Sequence, residues 1–126
     1  MAMKLWGCMI ILALSACAKS PAVQAVHCRD PVAGCRLDAG MEVRFSKIPA
    51  VMRRFDLDVI APESAAPYAS FQMQGMEMGL NRYRLLWNNG KWHAEAMLPA
   101  CVQGRHDWIL RLEAGGKIYA MPFTGG

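Results

Sequence analysis

Asn89-Gly90 lies between two runs of alternating apolar and polar residues, and that arrangement leaves the chain few options. An Asn-Gly pair flanked by alternation signals a two-residue type I′ turn, because both central positions need φ > 0. Closing on those two residues pairs Trp87 with Trp92, Leu85 with Ala94 and Tyr83 with Ala96 on one face. On the other face it pairs Leu86 with His93, Arg84 with Glu95 and Arg82 with Met97. The first face is aromatic and apolar, and the second sets opposite charges across the strands, so side-chain chemistry specifies the register. His93 then falls on the polar face; a three-residue loop would shift the register and reverse that placement.

The same period of two recurs along the chain. Met41-Glu42-Val43-Arg44-Phe45 alternates, and so does Phe55-Asp56-Leu57-Asp58-Val59, with its odd positions facing in. Pro49 ends the first run, and a helical turn is expected over 51–54. Residues 62–67 read as a loop of proline, alanine and serine. Further strands are expected over 68–78, 82–87, 106–112 and 117–123, the last two joined through Ala114-Gly115-Gly116. About seven short strands with frequent turn signals predict an all-β fold, an antiparallel immunoglobulin-like β-sandwich occupying 27–126. Phe45, Phe55, Tyr83, Trp87, Trp92 and Trp108 supply its expected aromatic core. Neither an internal repeat nor a second domain is visible.

Residues 1–16 read as a lipoprotein signal peptide. Lys4 forms a short basic region, and the apolar run over 5–14 is too short to span a bilayer, which needs about 20 residues. Leu14-Ser15-Ala16-Cys17 resembles a bacterial lipobox, which implies cleavage before Cys17 and lipid on that cysteine. Residues 17–26 become a lipidated tether of small residues. The expected location is the bacterial cell envelope, periplasm-facing and membrane-anchored. By analogy with the sorting of lipoproteins that this junction resembles, Ala18, which is not aspartate, implies the outer rather than the inner membrane. A net charge of +4 without a basic run gives no footprint for nucleic acid.

Export sets the redox context, because disulfides persist outside the cytoplasm. Of five cysteines, Cys8 lies in the signal and Cys17 carries lipid, leaving Cys28, Cys35 and Cys101. Asp30-Pro31 and Gly34 punctuate a turn between Cys28 and Cys35, so a disulfide is expected there. A metal site of His27, Cys28 and Cys35 is the alternative, although its spacing matches no familiar zinc pattern.

No Gly-x-Ser-x-Gly elbow and no phosphate-binding glycine loop is present, and an enzyme is not expected. Soft donors stand out instead. Three of ten methionines (Met73, Met76 and Met78) fall within Ser70-Phe71-Gln72-Met73-Gln74-Gly75-Met76-Glu77-Met78-Gly79. A neutral thioether suits Cu(I) better than a hard divalent ion. On a strand, Met76 and Met78 share a face, and a bulge at Gly75 brings Met73 to them. Methionine is equally a flexible core filler, so the same residues also read as packing. Cys101, just past a strand end, would be the strongest donor as a thiolate. His106, beside Asp107, is a further candidate ligand oriented by that carboxylate. His93 is set apart by the hairpin register, and Met97 and Met121 read as core.

These residues carry a resemblance. The run Phe71-x-Met73-x-Gly75-Met76-x-Met78-Gly79, then Tyr83-Arg84-Leu85, Gly90-Lys91-Trp92, Glu95-Ala96-x-Leu98-Pro99 and Trp108 is similar to the YtkA-like and FixH-like group. That group comprises small exported or membrane-anchored β-sandwich domains, and the similarity covers roughly 41–123. It implies an immunoglobulin-like fold and a link to copper handling or oxidase assembly, with a copper-accepting envelope protein as partner. Cys28, Cys35 and Cys101 depart from the pattern and look like features of a lipoprotein subgroup. Two functions follow: Cu(I) binding through Met73, Met76, Met78, Cys101 and His106, or a metal-free structural or protein-docking module of the envelope.

Overall fold

Alternation in sequence becomes alternation in burial. In the strand Arg54–Ile60, Phe55, Leu57 and Val59 are buried while Asp56 points to solvent and Asp58 is half-buried. Asp107–Ala114 repeats the pattern with Trp108, Leu110, Leu112 and Ala114 inward. The computed structural model describes residues 22–38, 40–75, 81–100 and 105–126. In chain order the strands are β1 (Val23–Ala25), β2 (Cys35–Asp38), β3 (Met41–Phe45), β4 (Arg54–Ile60) and β5 (Tyr68–Met73). They continue as β6 (Arg82–Arg84), β7 (Leu86–Asn88), β8 (Lys91–Met97), β9 (Asp107–Ala114) and β10 (Lys117–Thr124). They form two five-stranded sheets, ordered β1-β10-β9-β5-β6 and β2-β3-β4-β8-β7. Among the described residues the named strands pair antiparallel except β1, which lies parallel on β10. The protein is an all-β sandwich.

Four phenylalanines join the sheets. Phe45 and Phe55 from one sheet meet Phe71 and Phe123 from the other, edge-on or tilted, at centroid distances of 5.1–6.3 Å. Such pairs add about 0.5–1.5 kcal/mol each beyond the area they bury. Trp108, Tyr119 and Met121 are fully enclosed beside them, Met121 as expected of a core residue. Met97 is half-buried and faces outward.

The Asn89-Gly90 turn has φ of 51° and 81°, both positive as a type I′ turn requires. Its register is the expected one for Leu86 with His93 and Trp87 with Trp92. Three rungs are all that form. At Leu85 the chain leaves this sheet, and β6 pairs with β5 through Tyr68–Arg84, Ala69–Tyr83 and Ser70–Arg82. The expected pairs Leu85–Ala94, Arg84–Glu95, Tyr83–Ala96 and Arg82–Met97 are therefore replaced. Crossing between sheets places Leu85, 1% exposed, in the space between them. Glu95 takes Arg54 at 3.4 Å instead, and Arg82 takes Glu113 at 2.9 Å while lying over the Tyr68 ring. Tyr83 still spans the gap, its hydroxyl donating to Met97 O at 3.0 Å and accepting from Met97 N at 3.2 Å.

Other expectations shift. The helical turn over 51–54 is replaced by a single bridge of Val51 to Leu98 and the start of β4. The loop over 62–67 contains a 3-10 turn, Glu63–Ala65. The strand expected over 68–78 ends at Met73, because Gln74 and Gly75 turn, with Gly75 at φ 73°. Trp87 is 39% exposed and so borders the core rather than filling it. The tether over 17–26 is partly strand: β1 buries none of its side chains, yet its backbone pairs with β10 and Val26 behind it is buried. Residues 1–16 and the lipidation candidate Cys17 lie outside the described residues.

Candidate functional site

Strand directions gather four connections at one end of the sandwich. β3 and β5 end there, β4 and β9 begin there, and the registers Arg54–Met97, Met73–Trp108 and Thr124–Asp107 level those ends. Gly126 N donates to Pro49 O at 2.8 Å, and Gly125 N donates to His106 O at 2.8 Å, tying the sheets together at this rim.

Two of the connections carry the candidate ligands. Met73 is the last residue of β5, and its side chain is wholly enclosed in the core between the sheets. Met76 and Met78 lie in 76–80 and Cys101 in 101–104, both outside the described residues. The residues flanking those segments are described, and they touch. Arg105 Nη2 donates to Gln74 O at 3.0 Å, and Gln74 N approaches Asp107 O at 3.5 Å. Arg105 also holds the Asp107 carboxylate through Nε at 2.9 Å and through Nη2. That pairing lowers the Asp107 pKa, hydrogen bonding from Arg105 being the largest cause. Asp107 was expected to orient His106; the structure gives that carboxylate to Arg105, and His106 is exposed beside it. Residues 105 and 107 share a side at strand spacing, a signal the sequence offered.

Asn81 closes the methionine connection. Its Oδ1 accepts from Phe71 N at 2.7 Å and its Nδ2 donates to Phe71 O at 2.6 Å. Continuing the β5–β6 register would set Phe71 opposite residue 81, so the amide side chain does what a backbone peptide unit would do there. Sequence reading missed Asn81, and it missed Met52. Met52 sits in the neighbouring connection, 61% exposed at φ 61°, with its N donating to Leu98 O at 3.1 Å.

The Cys28–Cys35 disulfide is formed, with a Cα separation of 5.4 Å. It stands at the same end, because Phe45 N donates to Pro31 O at 2.9 Å. Cys35 is buried on β2, whereas Cys28 is half-buried and lines two clefts of about 390 and 470 Å³.

His93 faces away from this rim's core side, on the outer surface of its sheet, as the hairpin register predicts. Nδ1 lies 2.7 Å from Asp58 Oδ1 and Nε2 3.5 Å from Asp56 Oδ1, while Lys91 Nζ reaches Asp58 Oδ2 at 3.2 Å. Partial burial raises the Asp58 pKa, but the hydrogen bonds from His93 and Lys91 outweigh it and the net shift is downward. At the opposite end Tyr119 and Lys117 both donate to Asp38 Oδ2, at 3.2 and 2.9 Å. Among the described residues no group of three or more His, Cys, Asp or Glu could hold a metal ion. Among them, too, no helix is long and apolar enough to cross a membrane. No family model, no curated protein and no solved structure matches the chain.

Proposed function

We propose that this chain is an exported, lipid-anchored β-sandwich of the YtkA-like and FixH-like kind that binds Cu(I) at the rim where the connections over 74–81 and 98–106 begin and end. Met76 and Met78 are the thioether donors of this reading, Cys101 the thiolate and His106 a further donor. Exposed Met52 on the adjacent connection is an additional thioether within the same rim. Met73, enclosed in the core, serves as the anchor from which the methionine segment departs. The observation that carries the reading is the Arg105–Gln74 hydrogen bond of 3.0 Å, which joins the stems of the two donor-bearing segments. Thioethers and a thiolate favour Cu(I), and a thioether has no proton to lose before it ligates. The domain hands copper on as a carrier, with a copper-accepting envelope protein as its partner, and performs no catalysis.

The rival reading is a metal-free docking module. The burial of Met73 favours it, as do Leu86 and Trp87, 64% and 39% exposed on the hairpin. Anaerobic Cu(I) titration against a competing chelator separates the two, comparing the native chain with Met76→Leu/Met78→Leu. Leucine keeps size and apolarity, so each swap costs less than about 1.5 kcal/mol of packing while removing a donor. Weakened copper binding is expected; an unchanged affinity returns the methionines to packing or docking.

A further inference from the structure

The Cys28–Cys35 pair has a feature that a purely structural staple does not need: its loop is held by other bonds. Asp30 Oδ1 accepts from Val32 N at 3.0 Å and from Ala33 N at 3.3 Å, and Gly34 N donates to Asp30 O at 3.1 Å. Phe45 N fastens Pro31 O, and Arg44 Nη2 donates to Ala33 O at 3.2 Å. Cys35 itself is registered against Val43 by the β2–β3 ladder. Cys35 and the loop after Cys28 are thus positioned by contacts other than the S–S bond, across which the Cα atoms lie 5.4 Å apart.

Access to the two is unequal. Cys35 is 3% exposed, whereas Cys28 is half-buried and borders both clefts, one shared with Asp30, Gln74 and Trp108, the other with exposed His27. Cys28 is therefore the more open of the two residues to an incoming thiolate.

We propose that Cys28–Cys35 is an exchangeable redox pair whose reduced form is a two-thiolate site for a soft monovalent cation, with Cu(I) as its natural class. Reduction is by a dithiol. One thiolate of that dithiol attacks Cys28 Sγ, the Cys28–Cys35 bond breaks, and Cys35 leaves as a thiolate that takes up a proton. The dithiol's second sulfur then attacks its own half of the mixed disulfide, freeing Cys28 and leaving the reductant oxidised by two electrons. Cu(I) next displaces both thiol protons and is held by two sulfurs, a donor set soft enough to select it over divalent ions. Two ligands suffice, in keeping with the lack of any larger His, Cys, Asp or Glu group among the described residues. The inference does not depend on the methionine reading.

The test uses the full-length chain carrying Cys8→Ser, Cys17→Ser and Cys101→Ser, so that the pair holds its only thiols. Oxidised protein is compared with protein reduced by dithiothreitol and freed of it anaerobically, each titrated with Cu(I) against bicinchoninate. Reduction should add one copper per chain, with a thiolate-to-copper charge-transfer band, and adding Cys28→Ser should abolish the gain. Methionine-bound copper would appear equally in both redox forms, so failure of that reading leaves this difference intact. Equal copper in the two forms would overturn the proposal, and so would a gain that survives Cys28→Ser. Loss of the near-ultraviolet aromatic circular dichroism on reduction would also overturn it, because the loop must hold without the bond.

Discussion

Asn81→Ala tests how the methionine connection is held. The amide of Asn81 makes two hydrogen bonds, of 2.7 and 2.6 Å, to the backbone N–H and C=O of Phe71. Phe71 is 1% exposed and already gives its opposite side to the core aromatic cluster. Each bond contributes about 0.5–1.5 kcal/mol net, and truncation to alanine also strands part-buried backbone groups. A loss of about 2–3 kcal/mol of unfolding free energy is therefore expected. The assay is urea denaturation followed by tryptophan fluorescence, with Asn88→Ala as control, an exposed asparagine on the hairpin whose loss should stay within about 0.5 kcal/mol. The midpoint should fall with an unchanged m-value, as for a local loss without change in the surface exposed on unfolding. A destabilisation under about 0.5 kcal/mol would refute the argument, since water or the backbone of residue 81 would then replace the amide at no cost. If the copper reading holds, Asn81→Ala also weakens Cu(I) binding, because the segment bearing Met76 and Met78 loses one of its two stems.

Four further outcomes are expected. Burial, then hydrogen bonding to Asp38, raises the Tyr119 pKa above 10.0, and Asp38 raises that of Lys117 above 10.5. Both groups hold their protons more tightly when folded, so their stabilisation is complete below those values and is lost as pH rises through the higher folded ones. Tyr119→Phe should flatten the alkaline fall in urea midpoint, and an unaltered slope would show that the phenol plays no part. Asp58 shifts the other way, below 3.8, so its contribution is present above that value and disappears as pH falls through the lower folded pKa. Asp58→Asn should make acid unfolding less steep; the same slope in both proteins would count against the His93–Asp58 contact. Phe71→Ala, at the meeting point of the four phenylalanines, should cost about 3–5 kcal/mol in thermal or urea unfolding, and a loss under about 2 kcal/mol would mean the core refills. Finally, Cys17→Ser should release the protein from membranes on fractionation, and continued partitioning with membranes would remove the lipid anchor from the proposal.

Local chemistry was legible in the sequence wherever one residue type has only one comfortable place. Phe55, Leu57 and Val59 alternate with two aspartates and could bury only together, since a strand turns every second side chain to one face. Asn89 and Gly90 demanded positive φ, and with it came the Trp87–Trp92 register and the outward His93. Cys28 and Cys35 flank a turn that the sequence punctuates with Asp30, Pro31 and Gly34, and they are bonded. What tertiary structure alone decided is which edge each strand meets. Hairpin arithmetic extended β8 along Arg82 to Leu85, but burying Leu85 between two sheets stabilises the crossover, and β6 pairs with β5 in the other sheet while β4 holds the opposite edge of β8. Pattern could not reveal that β1, with no buried side chain, is held by backbone pairing alone, because backbone hydrogen bonds carry no residue signature. The same holds for Asn81, whose amide stands in for a peptide unit, and for Arg105, which ties the stems of two distant connections. Such contacts depend on which strands become neighbours, and only the pairing of β5 with β6 and with β9 brings these residues within hydrogen-bond reach.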